Sequence, residues 1–157
     1  MSALGAAGAR HRVEVMHGVN LDQLGHRDPA VYGTLTLPEL EALAAEHGAA
    51  LGLEVSCFQS NHEGEFVERL HALRGTADGL IINPGAWTHY SWAIRDALEI
   101  AALPAVEVHL SDPMQREQWR HVSVLGELCF QSVRGRGPEG YRDALEMLGD
   151  RLKLEAR

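Results

Sequence analysis

Polar side chains that can bind anions or transfer protons recur in short clusters, each beside an apolar stretch. The segment LGHRDPAVYG (residues 24–33) has neither a helical period nor a strand alternation, and Gly and Pro interrupt it. It nevertheless carries Arg27 and Tyr32, two side chains that are costly to order on a loop without a role. The other clusters are HGVN (17–20), QSNHE (59–63), NPGAWTH (83–89) and EVHLS (107–111).

Glu107 and His109 form the pair with the most direct chemical interpretation. Residues two apart on a strand share a face, so the carboxylate can orient the imidazole. At the C-terminal end of a strand this arrangement suits an acid–base histidine, and it also occurs as a purely structural pair. Arg116 and Arg120 are four apart and share a face of a predicted short helix around residues 115–119, where most such pairs are only solvated.

The remaining polar residues have competing structural explanations. Isolated asparagines such as Asn20 and Asn83 often close turns or cap helices. Ser60, His62 and Glu63 fit the N-terminus of a helix, and we prefer that interpretation for them.

Several other kinds of chemistry lack their usual sequence signals. The cysteines do not have metal-ligand spacing, and no histidine pair at i, i+4 accompanies a glutamate. A phosphate-binding Gly-x-x-x-x-Gly-Lys loop is absent, and GRGPEG (residues 135–140) is better interpreted as a strand-to-helix turn. The only lysine of the chain, Lys153, lies on a terminal amphipathic segment, which argues against Schiff-base chemistry. We therefore predict no metal and no cofactor.

Apolar runs of strand length alternate with segments of helical period along the whole chain. Strands are predicted at 13–16, 53–58, 79–83, 105–108 and 128–133, and the longer helices at 36–51, 66–73, 90–102 and 141–152. Thr36 and Glu39 form a Thr-x-x-Glu capping box that predicts the start of the first helix. This alternation predicts an α/β flavodoxin-like three-layer sandwich with a five-stranded parallel sheet in the order 2-1-3-4-5. In such folds the ligand binds beyond the C-terminal ends of the strands, where the polar clusters fall.

Composition bounds the remaining possibilities. The 157 residues suit one domain, which we place at residues 12–157 after a disordered tail at residues 1–11. No apolar run reaches the roughly 20 residues of a membrane span. Cys57 and Cys129 lie in apolar stretches, so we expect buried thiols in a reducing compartment, the cytoplasm. The net charge of −8 argues against nucleic acid as a partner.

Five motifs, in order and over residues 13–152, resemble the type II 3-dehydroquinate dehydratases. They are Asn20 with the Leu24-Gly25-x-Arg27-x-Pro29-x-x-Tyr32-Gly33 loop, Gln59-Ser60-Asn61-His62-Glu63-Gly64, Asn83-Pro84-Gly85-Ala86-x-Thr88-His89, Glu107-Val108-His109, and Arg116-x-x-x-Arg120. The resemblance implies dehydration of 3-dehydroquinate to 3-dehydroshikimate by anti elimination through an enolate, in the shikimate or quinate pathway, without a metal or a Schiff base.

The resemblance also implies catalytic roles for individual residues. Tyr32 would remove a proton from the carbon beside the ketone, and Arg27 would favour the ionised form of Tyr32. A water held by Asn20 would stabilise the enolate. His109, oriented by Glu107, would protonate the departing hydroxyl.

Substrate binding and assembly follow from the same resemblance. The substrate is a small anionic cyclic molecule, and the family implies a homo-oligomer, a dodecamer built as a tetramer of trimers. The implied binding residues are Asn83, His89 and Arg120 for hydroxyl groups, the backbone N–H groups around Leu110 and Ser111 for the carboxylate, and Arg116 as support for a lid over residues 24–33.

Some positions depart from the family pattern. Val19 replaces a proline beside Asn20, Asp112 places a carboxylate where an amide is usual, and Met114 replaces a histidine. Trp87, Tyr90 and Trp92 are bulkier than the usual residues. Two alternatives therefore stay open. One is the same elimination on an amino-substituted dehydroquinate, whose cation would give Asp112 a partner, and the other is a non-catalytic or flavin-binding module.

Overall fold

The computed structural model describes residues 10–156, in which five parallel strands form one sheet. The strands are β1 (His11–His17), β2 (Leu53–Gln59), β3 (Gly79–Asn83), β4 (Ala105–His109) and β5 (Gln131–Arg134). Their order is β2-β1-β3-β4-β5, which confirms the predicted topology. The helices are α1 (Pro29–Tyr32), α2 (Leu37–Ala50), α3 (Glu63–Ala72), α4 (Trp92–Ala101) and α5 (Glu139–Glu155).

Alternation along the strands separates the core into two layers. Val13 and Val15 of β1 pack with the apolar faces of α2 and α5, whereas Met16 packs with those of α3 and α4. The central strand β3 is buried along its whole length, as its continuous apolar sequence predicts. The sheet is therefore covered on both faces, and only its edges and strand ends can hold a site.

Residues 1–9 of the predicted tail, which the sequence places at residues 1–11, lie outside the described residues. Its last residue, His11, opens β1 in register with Leu53 of β2, so the strand begins within the segment assigned to the tail. Arg12 fixes this start, because its backbone N–H donates to Asp78 over 2.7 Å.

Local capping explains where α2 begins. Thr36 accepts a hydrogen bond from the backbone N–H of Glu39 over 3.4 Å, and Pro38 occupies the first turn. The Thr36 hydroxyl also donates to the Glu39 carboxylate over 2.9 Å. The predicted Thr-x-x-Glu start of α2 is confirmed. The Glu39 carboxylate bonds the Thr36 hydroxyl, whereas in a capping box it usually bonds the backbone N–H of the capping residue.

Two predicted elements differ in the structure. The short helix around residues 115–119 is replaced by two 3₁₀ turns, Pro113–Gln115 and Gln118–Arg120, because Arg116 between them has an extended backbone. The last strand begins at Gln131 and not near residue 128, since Gly126–Leu128 forms another 3₁₀ turn. Among residues 10–156, no helix is long and apolar enough to cross a membrane.

Candidate active site

A cavity opens at the C-terminal ends of β1, β3 and β4, where a doubly wound sheet is expected to bind its ligand. Ten of the eleven predicted site residues line this cavity. The eleventh, Glu107, lies behind His109. The ten are Asn20, Arg27, Tyr32, Asn83, His89, His109, Leu110, Ser111, Arg116 and Arg120.

The floor of the cavity consists of two turns packed backbone to backbone. The N–H of Gly18 donates to the carbonyl oxygen of Asn83 over 2.8 Å. A Cβ on Gly18 would stand 2.1 Å from the carbonyl oxygen of Pro84, so only glycine permits this approach. Asn20 adopts a left-handed backbone with φ of 68°, which asparagine tolerates better than most residues. Asn20 is therefore positioned at the cavity by a turn whose backbone is strained at this residue.

Gln59 and Asn61, at the end of β2, hold the Asn20 turn in place. The Asn61 side-chain oxygen accepts from the backbone N–H of Asn20 over 2.8 Å. The Gln59 amide donates to the carbonyl oxygen of Gly18 over 3.2 Å and to Asn61 over 3.1 Å. Sequence reasoning placed both residues at the sheet edge but assigned them no individual role.

Tyr32 lies between two cations. The guanidinium carbon of Arg27 is 4.0 Å from the centre of the Tyr32 ring, and that of Arg116 is 5.0 Å away. Tyr32 ends the helical turn α1, which Pro29 begins and Asp28 caps by accepting from the N–H of Ala30 over 3.0 Å. The segment expected to be irregular thus contains one ordered turn that carries the tyrosine.

Glycines close the two ends of this segment. Gly25 and Gly33 both have positive φ, 91° and 70°, values that side chains other than glycine rarely adopt. The loop is therefore bent at both ends around α1, and its residues Arg27 and Tyr32 line the cavity.

His109 is held by a buried chain of hydrogen bonds. Its Nε2 lies 2.9 Å from Glu107, and the other Glu107 oxygen accepts from the hydroxyl of Ser123 over 2.5 Å. Burial alone would raise the pKa of Glu107, but hydrogen bonds from His109 and Ser123 and the charge of Arg134 hold it below its ordinary value. Glu107 is therefore an anion at neutral pH, and its contact with Nε2 fixes the orientation of the His109 ring.

His89 lies beside His109 on the cavity wall. The His89 and His109 rings stack with centroids 6.5 Å apart. The rings of His89 and Trp119 pack edge to face, with centroids 5.4 Å apart. His89 Nδ1 lies 2.7 Å from the carbonyl oxygen of Val122, so we assign the proton to Nδ1 and leave Nε2 as an acceptor. Burial first, and then the charges of His109 and Arg120, lower the pKa of His89, so it stays neutral beside them.

Asn83 is a rigid part of the cavity floor. Its side-chain oxygen accepts from the N–H of Gly85 over 3.1 Å, and its amide donates to the hydroxyl of Tyr141 over 3.3 Å. Burial raises the pKa of Tyr141 to about 12, so this hydroxyl remains neutral. These two contacts fix which face of the amide is turned to the cavity.

Arg116 and Arg120 reach the same cavity without sharing a helix. The Arg116 guanidinium donates to the hydroxyl of Ser111 over 3.3 Å. The guanidinium of Arg120 donates to Glu117 over 2.6 Å and lies 4.0 Å from the centre of the Trp119 indole. The prediction of one helical face is wrong, but the segment still delivers both cations to the site.

The structure gives Asp112 a structural role. Its carboxylate accepts from the backbone N–H of Met114 over 3.0 Å and so caps the 3₁₀ turn that starts at Pro113. Asp112 is not among the residues that line the cavity, so the structure gives the amino-substituted alternative no support from this carboxylate.

The bulky departures from the family pattern lie in different places. Trp87 is buried in the core against Phe66, with ring centroids 5.6 Å apart. Tyr90 and Trp92 are exposed on the surface near α4. Val19 lines the cavity beside Asn20 and closes the turn that proline forms in the family.

The site combines the groups needed for proton transfer on an anionic, polar substrate. Three guanidinium groups, from Arg27, Arg116 and Arg120, make the cavity positive although the chain is acidic overall. A phenol flanked by cations can act as a base, and an imidazole backed by a buried carboxylate can act as an acid. The cavity can therefore remove one proton and supply another at a different position.

Comparisons with known proteins agree with this chemistry. The model of the family described as Dehydroquinase class II matches residues 11–149. The 3-dehydroquinate dehydratase of Syntrophotalea carbinolica is 48% identical over 145 residues, covering 92% of this chain and 98% of the relative. That of Pelobacter propionicus is 50% identical over 135 residues, covering 85% and 91%. The crystal structure of type II dehydroquinase from Butyrivibrio crossotus superposes with a TM-score of 0.86 at 39% identity, covering 90% and 99%.

Proposed function

The chain belongs to the class II dehydroquinase family, and from this premise we propose that Tyr32 and His109 carry out its hydro-lyase reaction, the dehydration of 3-dehydroquinate to 3-dehydroshikimate in the shikimate pathway. The observation that carries the proposal is the cavity itself. A cation-flanked phenol, a carboxylate-backed imidazole and the Asn20 turn all line it.

Proton removal is the first step of the proposed mechanism. The Tyr32 phenolate takes the proton from the carbon beside the ketone, and the electron pair of that C–H bond moves into an enolate. A unit positive charge about 4 Å away stabilises an anion by about 1 kcal/mol in water and about 4 kcal/mol at an effective dielectric constant of about 20. Arg27 and Arg116 therefore favour the phenolate most when the lid excludes water. A water held by Asn20 donates to the enolate oxygen.

Loss of the hydroxyl is the second step. The enolate electrons re-form the ketone, the C–C double bond appears, and the C–O bond breaks. His109 gives its proton to the departing oxygen, so the products are the enone and water. Glu107 keeps the imidazole ring oriented for this transfer, in the manner of a buried carboxylate behind a catalytic histidine.

Substrate binding is proposed for the rest of the cavity. Backbone N–H groups around Leu110 and Ser111 receive the carboxylate, and Arg116 both supports the lid and bonds Ser111. The substrate hydroxyls are held by Asn83, His89 and Arg120. A neutral His89 supports this role, because its free Nε2 can accept a hydrogen bond from a substrate hydroxyl.

The proposed enzyme is one catalytic domain, which begins with β1 at His11, one residue before the predicted start at residue 12, and it assembles as a dodecamer in the cytoplasm. One sheet supplies the whole cavity, which supports a single domain. Exposed apolar side chains beside His89, those of Tyr90, Trp119 and Val122, support burial against other copies. Cys57 and Cys129 are free thiols, which suits a reducing compartment. The mass of the assembly in solution tests the dodecamer.

A combined assay tests the proposed reaction. The full-length protein is incubated with 3-dehydroquinate, with and without sodium borohydride, and desalted. Enone formation from fresh 3-dehydroquinate is then followed by its ultraviolet absorbance. We expect turnover that borohydride does not abolish, because no Schiff base forms, and Lys153→Arg should be as active as the wild type. Absence of enone formation, or irreversible inactivation by borohydride with substrate, would contradict the proposal.

A further inference from the structure

His17 is buried without a partner in the part of the chain that the structure describes. It ends β1, it is 1% exposed, and neither of its ring nitrogens forms a hydrogen bond within residues 10–156. An interior polar group in this state destabilises the fold unless something binds it. Both ring nitrogens of this interior imidazole are therefore free to bind a ligand.

Two further metal-ligating side chains face His17. Cys57 on β2 is in register with Val15, two residues before His17, so the thiol and the imidazole lie on the same face of the sheet. Glu41 extends from α2, which covers that face, and its Oε1 is 3.7 Å from His17 Nε2. One donor atom from each of the three residues lies within 4.8 Å of the other two.

We propose that His17, Glu41 and Cys57 bind one divalent transition-metal ion of the Zn²⁺ type, at a site separate from the catalytic cavity. The donor set selects this class of ion, since imidazole nitrogen and thiolate sulfur favour Zn²⁺ and Co²⁺, whereas Mg²⁺ and Ca²⁺ require oxygen ligands. Three protein ligands leave a fourth tetrahedral position for water.

The geometry needs only small side-chain movements to close around an ion. Donor atoms of a tetrahedral zinc site lie about 3.5 Å apart, so the three groups must approach slightly. Glu41 is the mobile member, because its side chain is 33% exposed at the surface of α2, where an ion can enter. As the metal–sulfur bond forms, the Cys57 thiol loses its proton to solvent, and no oxidation state changes.

The position of the cluster suggests what such an ion would do. His17 lies three residues before Asn20, and its ring centroid is 6.1 Å from that of Tyr141, the hydrogen-bond partner of Asn83. A bound ion would tie β1, β2 and α2 together directly beneath the cavity floor. The three ligands come from three separate elements, so no spacing motif in the sequence could have signalled them.

Cobalt binding tests this proposal, because Co²⁺ reports thiolate ligation by absorption. The reduced, metal-free full-length protein is titrated with Co²⁺. We expect one Co²⁺ per chain with a sulfur-to-cobalt charge-transfer band and the intense visible bands of a tetrahedral ion. Absence of the sulfur band in the wild type would overturn the proposal, including the case in which Co²⁺ binds only through surface histidines.

Three variants locate the site. Cys129→Ser is the matched control, since Cys129 is also a half-buried free thiol whose pKa burial raises to about 12, but it packs in the other core layer. It should keep the band, whereas Cys57→Ser should lose it and His17→Asn should bind Co²⁺ at least about tenfold more weakly. Zn²⁺ should raise the Tm of the wild type and of Cys129→Ser only. Loss of the band in Cys129→Ser, or unchanged binding in His17→Asn, would contradict the site.

Discussion

The guanidinium carbon of Arg27 lies 4.0 Å from the centre of the Tyr32 ring, and both residues belong to the same short lid segment. Arg116 approaches the same ring to 5.0 Å from a distant part of the chain. The phenol therefore receives one cation from its own loop and a second from the 3₁₀ segment that follows β4. In the proposed mechanism, these two cations form the charge environment of the base.

Removing the nearer cation should reduce catalysis far more than binding. In Arg27→Met the phenolate loses its closest positive charge, so we expect kcat to fall by about tenfold to a thousandfold with a smaller change in KM. Steady-state rates of enone formation measure both parameters. Arg142→Met, which removes an exposed arginine paired with Glu139, is the control and should match the wild type. An unchanged kcat in Arg27→Met would contradict the claim that Tyr32 depends on the charge of Arg27.

The Glu107 carboxylate should contribute to catalysis across the whole assay pH range. The pKa of Glu107 is held below its ordinary value, so the group is fully ionised from about pH 6 upward. Glu107→Gln keeps the size but removes the charge behind His109, and we expect kcat to fall by about tenfold to a hundredfold. Because the carboxylate itself does not titrate between pH 6 and pH 8, the defect should be present at both pH values. A defect that disappears at either pH would contradict the role of a permanently charged carboxylate.

Gly18 and Gly64 give a matched pair of alanine substitutions. In Gly18→Ala the new Cβ would stand 2.1 Å from the Pro84 carbonyl oxygen, so the two turns of the cavity floor must separate. We expect a loss of about 3 kcal/mol or more in the free energy of unfolding and a large loss of activity. A Cβ on Gly64, at the start of α3, meets nothing within 4 Å, so Gly64→Ala should stabilise the protein by up to about 1 kcal/mol. Urea denaturation followed by circular dichroism compares the two, and equal stabilities would contradict the packing.

The lowered pKa of His89 predicts that the free energy of unfolding depends on pH. Its pKa is lowered in the folded protein by burial and by neighbouring cations, so the unfolded chain binds the proton more readily. The contribution of His89 to stability is therefore complete above about pH 6.5 and is lost as the pH falls through the folded value. The wild type should lose more stability between pH 7.5 and pH 5.5 than His89→Gln does. Parallel pH dependences in the two proteins would contradict the lowered pKa.

Much of the fold could be predicted because local patterns and burial agree. β3 matched its continuous apolar run, and α2 matched its capping residues, since Thr36 and Glu39 act within four residues of each other. The 113–120 segment could not be predicted in the same way. Its helical spacing is overridden by the extended backbone of Arg116 between two 3₁₀ turns.

The site shows the same division between local and long-range information. Glu107 and His109 are two residues apart, so strand geometry alone brings them together. Ser123, which completes their hydrogen-bond chain, is 16 residues from Glu107 and carries no sequence signal. Asp112 was expected to face the substrate, but a local hydrogen bond to Met114 turns it into a cap. Contacts set by tertiary packing are those that the sequence does not reveal.

The kcat of Tyr32→Phe for the dehydration of 3-dehydroquinate tests the central claim most directly. The substitution removes only the phenolic oxygen and keeps the ring that Arg27 and Arg116 contact. If Tyr32 is the base, the folded variant should still bind the substrate, while kcat falls by about a hundredfold to ten-thousandfold. A folded Tyr32→Phe protein with the kcat of the wild type would contradict the claim that this residue removes the proton.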